Sequence, residues 1–348
     1  MFEFHQSLVR RLFPSRDFEY NAFVKYPGTP KLMEKSLTER GWRVSKIGGN
    51  RKKLRYYAPN GKEFGRISGT KLSRHDPVVD LACRDKAVTK QLMQANGVPV
   101  PRGFALEQDD IELARYVWST MEGPVVLKPS DGAVSRGVTV GIETEHELEE
   151  AWVDACKAAS GAARILLEEH CFGFDLRTFV VGGKCIALAS RLQPFVIGDG
   201  ISNIDLLVSK EKVRRSVHFQ LASYPLSVDD RILRLQGVDR SSVIEDGKVV
   251  FLNDRATLST GSITVEVTLG VCSELKTMAE NAVKAVPGLE IAAVDLVVQD
   301  LNSINGAKVL EINQSPGLFM HAVPAVGEPV DVFGHVCEYL ADEWQKTL

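Results

Sequence analysis

The chain of 348 residues lacks the cysteine patterns and the long apolar runs that define several common classes of protein. Its six cysteines are scattered, with no Cys-x-x-Cys pair and no His–Cys ligand spacing, which argues against structural zinc and a disulfide framework. No run approaches the ~20 apolar residues that span a bilayer. The amino-terminal residues have no apolar core long enough for a signal peptide. These absences predict a soluble, cytoplasmic protein with no membrane partner.

The chain also lacks an excess of charge of one sign. Its formal net charge is -3, so no global field attracts nucleic acid, and no nucleic-acid partner is expected. Hydrophobic residues make up 44% and charged residues 25% of the sequence, which is ordinary for a soluble globular protein. The length fits two or three domains with ample core.

Helix and strand signals alternate irregularly along the chain, with hairpins among them, which favours an α+β (mixed α/β) fold over a single parallel sheet. Apolar spacing and stop signals predict helices over 30–41, 85–96, 111–121, 145–159, 203–215, 274–286 and 332–344. Strands are predicted over 54–58, 64–67, 124–129, 163–169, 291–298 and 308–313. The region 175–270 is predicted to be mainly strand apart from the helix at 203–215, whose Arg-rich end, 210–215, is interpreted as a solvated face.

The most informative stretch is the apolar run 308–317, which carries Glu311 and Asn313 two residues apart. In a strand both side chains point to one face, and a buried strand rarely carries an acid there without a partner. Asp295 interrupts another apolar run, and the link between the two runs is rich in turn formers. A hairpin centred near Ser303 would place Asp295 directly across from Glu311. Three oxygen ligands would then suit Mg²⁺; two unrelated acids at strand ends are the alternative.

A second group of residues is suited to bind phosphate. Lys128 ends a strand and precedes the loop 130–137, whose glycines let backbone amides approach an anion. A hairpin turn with a chance lysine is the alternative. Lys86 opens a helix, where the macrodipole disfavours a cation unless a phosphate neutralises it; a surface lysine is the alternative. The extended segment from Glu168 to Asp175 could contact an adenine edge and a ribose, or it could be only an edge strand with a loop.

In this order along the chain, these groups resemble the ATP-grasp superfamily of carboxylate–amine ligases. The resemblance covers about residues 75–345 and is carried by the segments 85–90, 191–200, 258–261 and 311–321. These segments look most like the ATP-grasp portion of cyanophycin synthetase and of the bifunctional glutathione synthetases. The resemblance implies three subdomains with the nucleotide between two α+β lobes. They are an N-terminal domain (1–82), a small lobe with the glycine loop (83–167) and a large lobe with the metal site (168–348).

The resemblance also implies roles for individual residues. The ATP phosphates would be bound by Lys86, Lys128, Ser130, Asp131, Gly132, Ser135, Arg136 and Gly137. Adenine would be held by Glu168, Glu169 and Cys171, and the ribose by Asp175. Two Mg²⁺ ions, with Mn²⁺ as an alternative metal, would be bound by Asp295, Glu311 and Asn313. The substrates would be contacted by Arg177, Arg191, Ser315, Gly317 and His321.

Catalysis is assigned to Lys128 together with Arg191 and Arg255. The two arginines are named because Ala293 stands where D-alanine–D-alanine ligases place an arginine. For His321 an alternative stays open, since it could instead be a structural residue hydrogen-bonded beneath the last helix.

The reaction that the resemblance implies joins a carboxylate, activated as an acyl phosphate, to an amine, with release of ADP and phosphate. Amino acids or small peptides are the expected substrates. A homodimer is compatible with the superfamily. Two alternatives stay open. One is a ligase that adds amino acids to a peptide or protein terminus, which an open basic groove near the N-terminal domain would favour. The other is a nucleotide-binding regulatory protein without catalysis.

Overall fold

The computed structural model describes residues 2–71, 77–132 and 136–348. Within these ranges no helix combines the length and the apolar character that a membrane crossing requires. The strands are β1 (Arg43–Ile47), β2 (Asn50–Tyr57), β3 (Glu63–Ser68), β4 (Gly103–Leu106), β5 (Val125–Pro129), β6 (Thr139–Ile142), β7 (Ile165–Glu169), β8 (Phe174–Val181), β9 (Lys184–Leu192), β10 (Phe195–Ile197), β11 (Val249–Phe251), β12 (Ile263–Glu266), β13 (Ile291–Val298) and β14 (Lys308–Asn313).

The helices begin with α1 near the amino terminus and end with α12 near the carboxyl terminus. They are α1 (Glu3–Leu12), α2 (Thr29–Glu39), α3 (Pro77–Arg84), α4 (Lys86–Ala95), α5 (Ile111–Ser119), α6 (Glu145–Ala158), α7 (Ile204–Arg215), α8 (Phe219–Ser223), α9 (Asp230–Leu235), α10 (Ser273–Lys284), α11 (Phe319–Ala322) and α12 (Val332–Gln345). Short 3₁₀ turns occur at Leu258–Thr260 and Thr268–Gly270.

A five-stranded antiparallel sheet in the order β12–β9–β8–β13–β14 forms the large central layer. On β8, Leu176 and Val180 belong to the same apolar cluster as Leu275 and Ala279 of α10. Because side chains alternate along a strand, Arg177 projects from the opposite face. This sheet therefore has one face covered by α10 and another face free to carry charged groups.

A four-stranded antiparallel sheet in the order β4–β7–β5–β6 forms a smaller layer. Leu127 and Leu167 are fully buried in one apolar cluster with Leu148 of α6. The alternation of the strands then turns Lys128 and Glu168 to the other face. This second sheet also has one face covered by helices and one face that carries charge.

A three-stranded sheet, β1–β2–β3, lies near the amino terminus. Its inner face packs Leu54 and Ile67 into one cluster with Met33 of α2 and Leu340 of α12. The strands β10 and β11 pair separately, and their buried side chains join those of α7 and α9.

Most of the predicted elements are confirmed, including the strands β2 and β3, which pair as a hairpin, and the strand β5. The prediction of mainly strand over 175–270 is wrong after residue 215, where α8, α9 and two 3₁₀ turns occur. These elements are six residues or shorter, which is too short to show a helical period. The solvated face predicted for 210–215 is also wrong for Glu211 and Arg215, which are buried.

Candidate active site

The hairpin of β13 and β14 places the predicted metal residues on one face. Asp295 pairs directly with Glu311, and Ala293 pairs with Asn313, so the predicted register is confirmed. The pairing then shifts to Leu296 with Val309, which leaves one extra residue in β14 as a bulge. Because side chains of paired residues share a face, Asp295, Glu311 and Asn313 line the side of the central sheet opposite α10.

Two arginines on the neighbouring strands fix the charge of Asp295. Arg177 lies opposite Asp295 across β8 and β13, and its Nε donates to Asp295 Oδ1 at 2.6 Å. Arg191 Nη2 lies 3.7 Å from the same oxygen, and Arg191 Nε donates to Asp175 Oδ1 at 2.8 Å. Burial alone would raise the pKa of Asp295, but the two guanidinium groups hold that pKa well below its usual range. Asp295 is therefore charged.

Glu311 shows the opposite behaviour. Burial and the nearby charge of Asp295 raise the pKa of Glu311, and the two carboxyl groups are within hydrogen-bonding reach of each other. Two acids forced together in this way share either a proton or a cation. Among the described residues no group of three His, Cys, Asp or Glu side chains has metal-binding geometry. The oxygen set available to a divalent ion is therefore two carboxylates and the amide of Asn313, which fits Mg²⁺.

Lys86, the first of the two lysines predicted to bind phosphate, links the metal candidates of the central sheet to the glycine loop of the small sheet. Lys86 Nζ lies 3.7 Å from Glu311 Oε2 and also donates to the carbonyl of Gly132 in the glycine loop. The side chain of Asp85 caps α4 by accepting from Ala87 N at 2.8 Å, which fixes Lys86 at the first position of the helix. The metal candidates and the glycine loop therefore meet at Lys86.

Lys128, the second lysine predicted to bind phosphate, is paired with the buried acid Glu168. Lys128 Nζ lies 2.8 Å from Glu168 Oε2, and Lys90 Nζ lies 2.9 Å from Glu168 Oε1. Burial lowers the pKa of Lys90 to about 8, despite the favourable charge of Glu168. Although burial would raise it, the pKa of Glu168 is lowered by Lys128 and Lys90. Sequence reasoning missed the role of Lys90, although its position four residues after Lys86 places it on the same helix face.

The glycine loop is anchored where it begins. The Ser130 carbonyl accepts from Lys86 N at 2.8 Å, and the Asp131 carboxylate accepts from Ser160 N at 3.2 Å. Gly137 has φ +66°, and a Cβ there would lie 2.5 Å from Ala158 Cβ, so this position requires glycine.

Two other residues of the loop, Arg136 and Ser135, were predicted to bind the ATP phosphates. Arg136 is exposed, and Ser135 lies outside the residues that the structure describes.

The segment after β7 is held by polar contacts that the prediction did not foresee. Glu169 Oε1 accepts from Arg102 N at 2.9 Å and lies 3.7 Å from Lys308 Nζ. Burial and the charge of Glu169 raise the pKa of the Cys171 thiol to about 11. The carboxylate of Asp175, the predicted ribose ligand, is engaged by Arg191. The contacts of these residues with adenine and ribose stay predictions.

The backbone contacts of Arg255, a predicted catalytic residue, lie within its own loop. Arg255 is exposed in the loop after β11, where its backbone N–H donates to Asn253 Oδ1 at 3.0 Å and its carbonyl accepts from Thr260. The prediction that Arg255 shares the site with Arg191 finds no support in these contacts. Ser315 and Gly317 follow β14 directly, and the carbonyl of Ser315 accepts from Thr70 Oγ1 at 2.7 Å.

The substrate role given to His321 needs correction. Its side chain is fully buried, and its Nδ1 lies 2.9 Å from Glu266 Oε2. Its ring also stacks against Phe179, with 6.3 Å between ring centroids. A histidine that has no solvent access and is hydrogen-bonded to a buried acid is not placed to contact a substrate. The structural role, which was the alternative, therefore fits His321 better than the substrate role. Glu266 is a partner that the sequence reasoning missed, and no local pattern indicated it.

Comparison with known proteins gives consistent matches. Residues 85–175 match the ATP binding domain of the carbamoyl-phosphate synthase L chain. The chain is 35% identical over 271 residues to cyanophycin synthetase of Geminocystis herdmanii, covering 75% of this chain and 30% of that protein. It is 29% identical over 290 residues to the glutathione biosynthesis bifunctional protein GshAB of Streptococcus mutans, covering 79% of this chain and 38% of that protein.

One solved structure shares the fold over most of the chain. The bifunctional glutathione synthetase from Pasteurella multocida superposes with a TM-score of 0.64 at 21% sequence identity, covering 90% of this chain and 43% of that chain. The matched ATP binding domain and these named relatives show that the chain contains an ATP-grasp domain, and the shared fold agrees with this. It is a relative of cyanophycin synthetase and of the bifunctional glutathione synthetases. The chain spans about 30% of the length of the cyanophycin synthetases that it matches.

Proposed function

We propose that this chain is an ATP-dependent ligase that forms an amide bond between a carboxylate and an amine. The observation that supports this function best is the contact between Lys86 and Glu311 at 3.7 Å. It brings the lysine that opens α4, which also contacts the glycine loop after β5, to the carboxylate pair of the central sheet. A magnesium–nucleotide site needs both kinds of group at the same place.

The nucleotide would lie between the charged faces of the two sheets, with 83–167 and 168–348 as the two lobes. Lys86, Lys128 and the backbone of the glycine loop would neutralise the phosphates of ATP. Asp295, Glu311 and Asn313 would bind Mg²⁺, as two ions, with Mn²⁺ as an alternative. When bound, the metal supplies positive charge that stabilises the phosphoryl group during transfer.

The reaction would proceed in two steps. The substrate carboxylate attacks the γ-phosphorus of ATP, ADP leaves, and an acyl phosphate forms. The amine then attacks the carbonyl carbon, loses a proton, and expels phosphate as the amide bond forms. Arg191, which Asp175 orients, would stabilise the charge on the acyl phosphate. Closure of the glycine loop would exclude water that would otherwise hydrolyse the intermediate.

The expected substrates are amino acids or small peptides, in keeping with the names of the relatives. The test is ADP release by the purified chain across a panel of amino acids, with and without each amine acceptor. Turnover should depend on the amine and should be lost in Glu311→Ala. A matched control is Glu338→Ala, which changes an exposed acid on α12. Amine-independent ADP release throughout the panel, unchanged in Glu311→Ala, would contradict the proposal.

A regulatory nucleotide-binding protein is the competing function. The charge pairs of Lys86 with Glu311 and of Lys128 with Glu168 favour the enzyme, because a site used only for binding needs no second acid beside Asp295. Nucleotide binding without turnover in the wild-type protein would favour the competitor.

A further inference from the structure

The three-stranded sheet β1–β2–β3 has two faces of opposite character. Its inner face buries Leu54 and Ile67 almost completely. The register pairs Arg55 with Arg66 across β2 and β3, next to Leu54 paired with Ile67. Because adjacent residues point to opposite faces, these arginines project outward, and so does Lys53, two residues before Arg55. The outer face is therefore lined by cations.

Positive charge is concentrated on this part of the chain. Between residues 43 and 71 the sequence has nine Lys and Arg residues and a single acid, Glu63, whereas the whole chain has a net charge of -3. We define the basic face as the outward cations of the sheet and of its turns. These are Arg43, Arg51, Lys53, Arg55, Lys62 and Arg66.

Few acids offset this charge. Glu63 lies 3.0 Å from Arg55 Nε and 2.8 Å from Arg66 Nε. Among the residues that the structure describes, the other four cations of the basic face have no acid partner. Like charges on neighbouring strands repel each other and do not stabilise a sheet. The fold therefore gives no reason for this concentration of charge, whereas a polyanionic partner does.

The basic face leads to the active site. Thr70, two residues after β3, donates from Oγ1 to the carbonyl of Ser315 at 2.7 Å. The backbone N–H of Ser315 donates to Asn313 Oδ1 at 3.0 Å. A chain lying on the sheet would thus reach the carboxylate hairpin at the end of β3.

We propose that the basic face docks an acidic peptide, with carboxylates repeated along it, whose end enters the active site as a ligation substrate. This inference rests on the proposed ligase function and names the class of one substrate. In an extended peptide, side chains of one face repeat every ~6.6 Å, the same distance that separates Lys53 from Arg55 along β2. Alternate acids of the peptide can therefore meet successive cations of the sheet.

The aromatic content of the basic face favours a peptide over nucleic acid. Single-stranded nucleic acid binds best where open aromatic rings stack with bases. The ring on this face is Tyr57, and the guanidinium of Arg43 lies over it, 3.8 Å from its centroid. A covered ring leaves charge as the means of recognition, which suits carboxylates.

The test is equilibrium binding of a fluorescein-labelled polyglutamate peptide of about ten residues, followed by fluorescence anisotropy without ATP. Wild-type protein should bind it, and added salt should weaken the binding. Lys53→Glu with Arg66→Glu should weaken it about tenfold or more. Lys53→Gln with Arg66→Gln should give an intermediate loss. Lys284→Glu, a charge reversal at an exposed position on α10, should bind like wild type.

Circular dichroism melting checks that each variant folds. If the double variant with glutamate does not fold, peptide binding by the double variant with glutamine tests the proposal. Equal peptide affinity in wild type and in the folded double variant would overturn the proposal. So would an oligothymidylate of equal charge that binds as tightly as the peptide, because that result assigns the face to nucleic acid. The assay contains no turnover. Loss of peptide binding with amine-dependent ADP release intact removes only this inference, and the reverse result removes only the ligase.

Discussion

The carboxylate of Glu168 lies 2.8 Å from the ammonium of Lys128, in a position where the glutamate is almost completely buried. The same carboxylate holds Lys90 at 2.9 Å through its other oxygen. One acid thus positions two cations on the charged face of the small sheet. A buried charge of this kind is tolerated only while its partners stay in place.

Glu168→Gln should therefore damage both stability and nucleotide binding. The substitution leaves two buried ammonium groups side by side without an anion, so the free energy of unfolding should fall by about 3 kcal/mol. The KM for ATP should rise because Lys128 loses its fixed position. Urea unfolding and initial-rate kinetics check the two effects. Glu150→Gln, which changes an exposed acid on α6 outside the predicted site, serves as the control. Equal KM values for the two variants would contradict the positioning role.

Asp295→Asn and Glu311→Gln should separate stability from catalysis. Asparagine at 295 leaves the buried guanidinium of Arg177 without its anion, so the free energy of unfolding without metal should drop by about 3 kcal/mol. Glutamine at 311 removes a negative charge that burial and the neighbouring Asp295 disfavour, so stability should change by less than about 1 kcal/mol. Both variants should lose turnover by at least about 100-fold. Unfolding in EDTA and ADP release measure the two effects. Equal destabilisation of the two variants would be inconsistent with this charge assignment.

Lys90 should make stability depend on pH in alkaline solution. Its pKa is lowered to about 8 in the folded chain, below the ~10.4 of an unfolded lysine. Between these values the unfolded chain binds more protons, so the contribution of Lys90 to stability rises with pH. Below about pH 8 both states are protonated and the contribution is constant.

The measurement compares wild type with Lys90→Met from about pH 7 to about pH 10. The stability of wild type relative to the variant should increase by about 2 kcal/mol over this range. Lys157→Met, which alters an exposed lysine on α6, should show no such change relative to wild type. A difference between wild type and Lys90→Met that stays constant with pH would show that the lysine titrates normally.

His321→Gln tests the structural role of that histidine. The substitution removes a buried hydrogen bond to Glu266, so the free energy of unfolding should fall by about 1–3 kcal/mol. If His321 does not touch the substrates, the KM values for acid and amine should stay within about twofold of wild type. A large rise in either KM in a variant of near-normal stability would restore the substrate role.

The sequence predicted the two halves of the site for local reasons. The register of β13 with β14 follows from two apolar runs, each carrying one acid, joined by turn formers around residue 303. Lys86 was placed correctly at the start of a helix because Asp85 is a strong capping residue. Both patterns involve residues that are close together in the sequence, so the alternation of side chains along a strand and the capping of a helix can be recognised directly.

The contacts that tune the site join distant residues. Lys90 and Glu168 are 78 positions apart in the chain and were not paired by any local pattern. His321 lies in α11, and its partner Glu266 lies 55 positions earlier, in β12 of the central sheet. The role of Arg255 stays a prediction, because only the path of the loop after β11 decides what that side chain reaches.

Sequence alone determined most of the helices and strands outside 216–270, because capping, alternation and turn formation depend on neighbouring residues. It also determined which residue types could bind phosphate and a divalent ion. The tertiary structure decided which charges neutralise each other, since pairs such as Arg177 with Asp295 exist only when two strands align. It also decided where the unpaired positive charge is displayed. Burial and charge pairing depend on distances in space, and those distances are set by the packing of the whole chain.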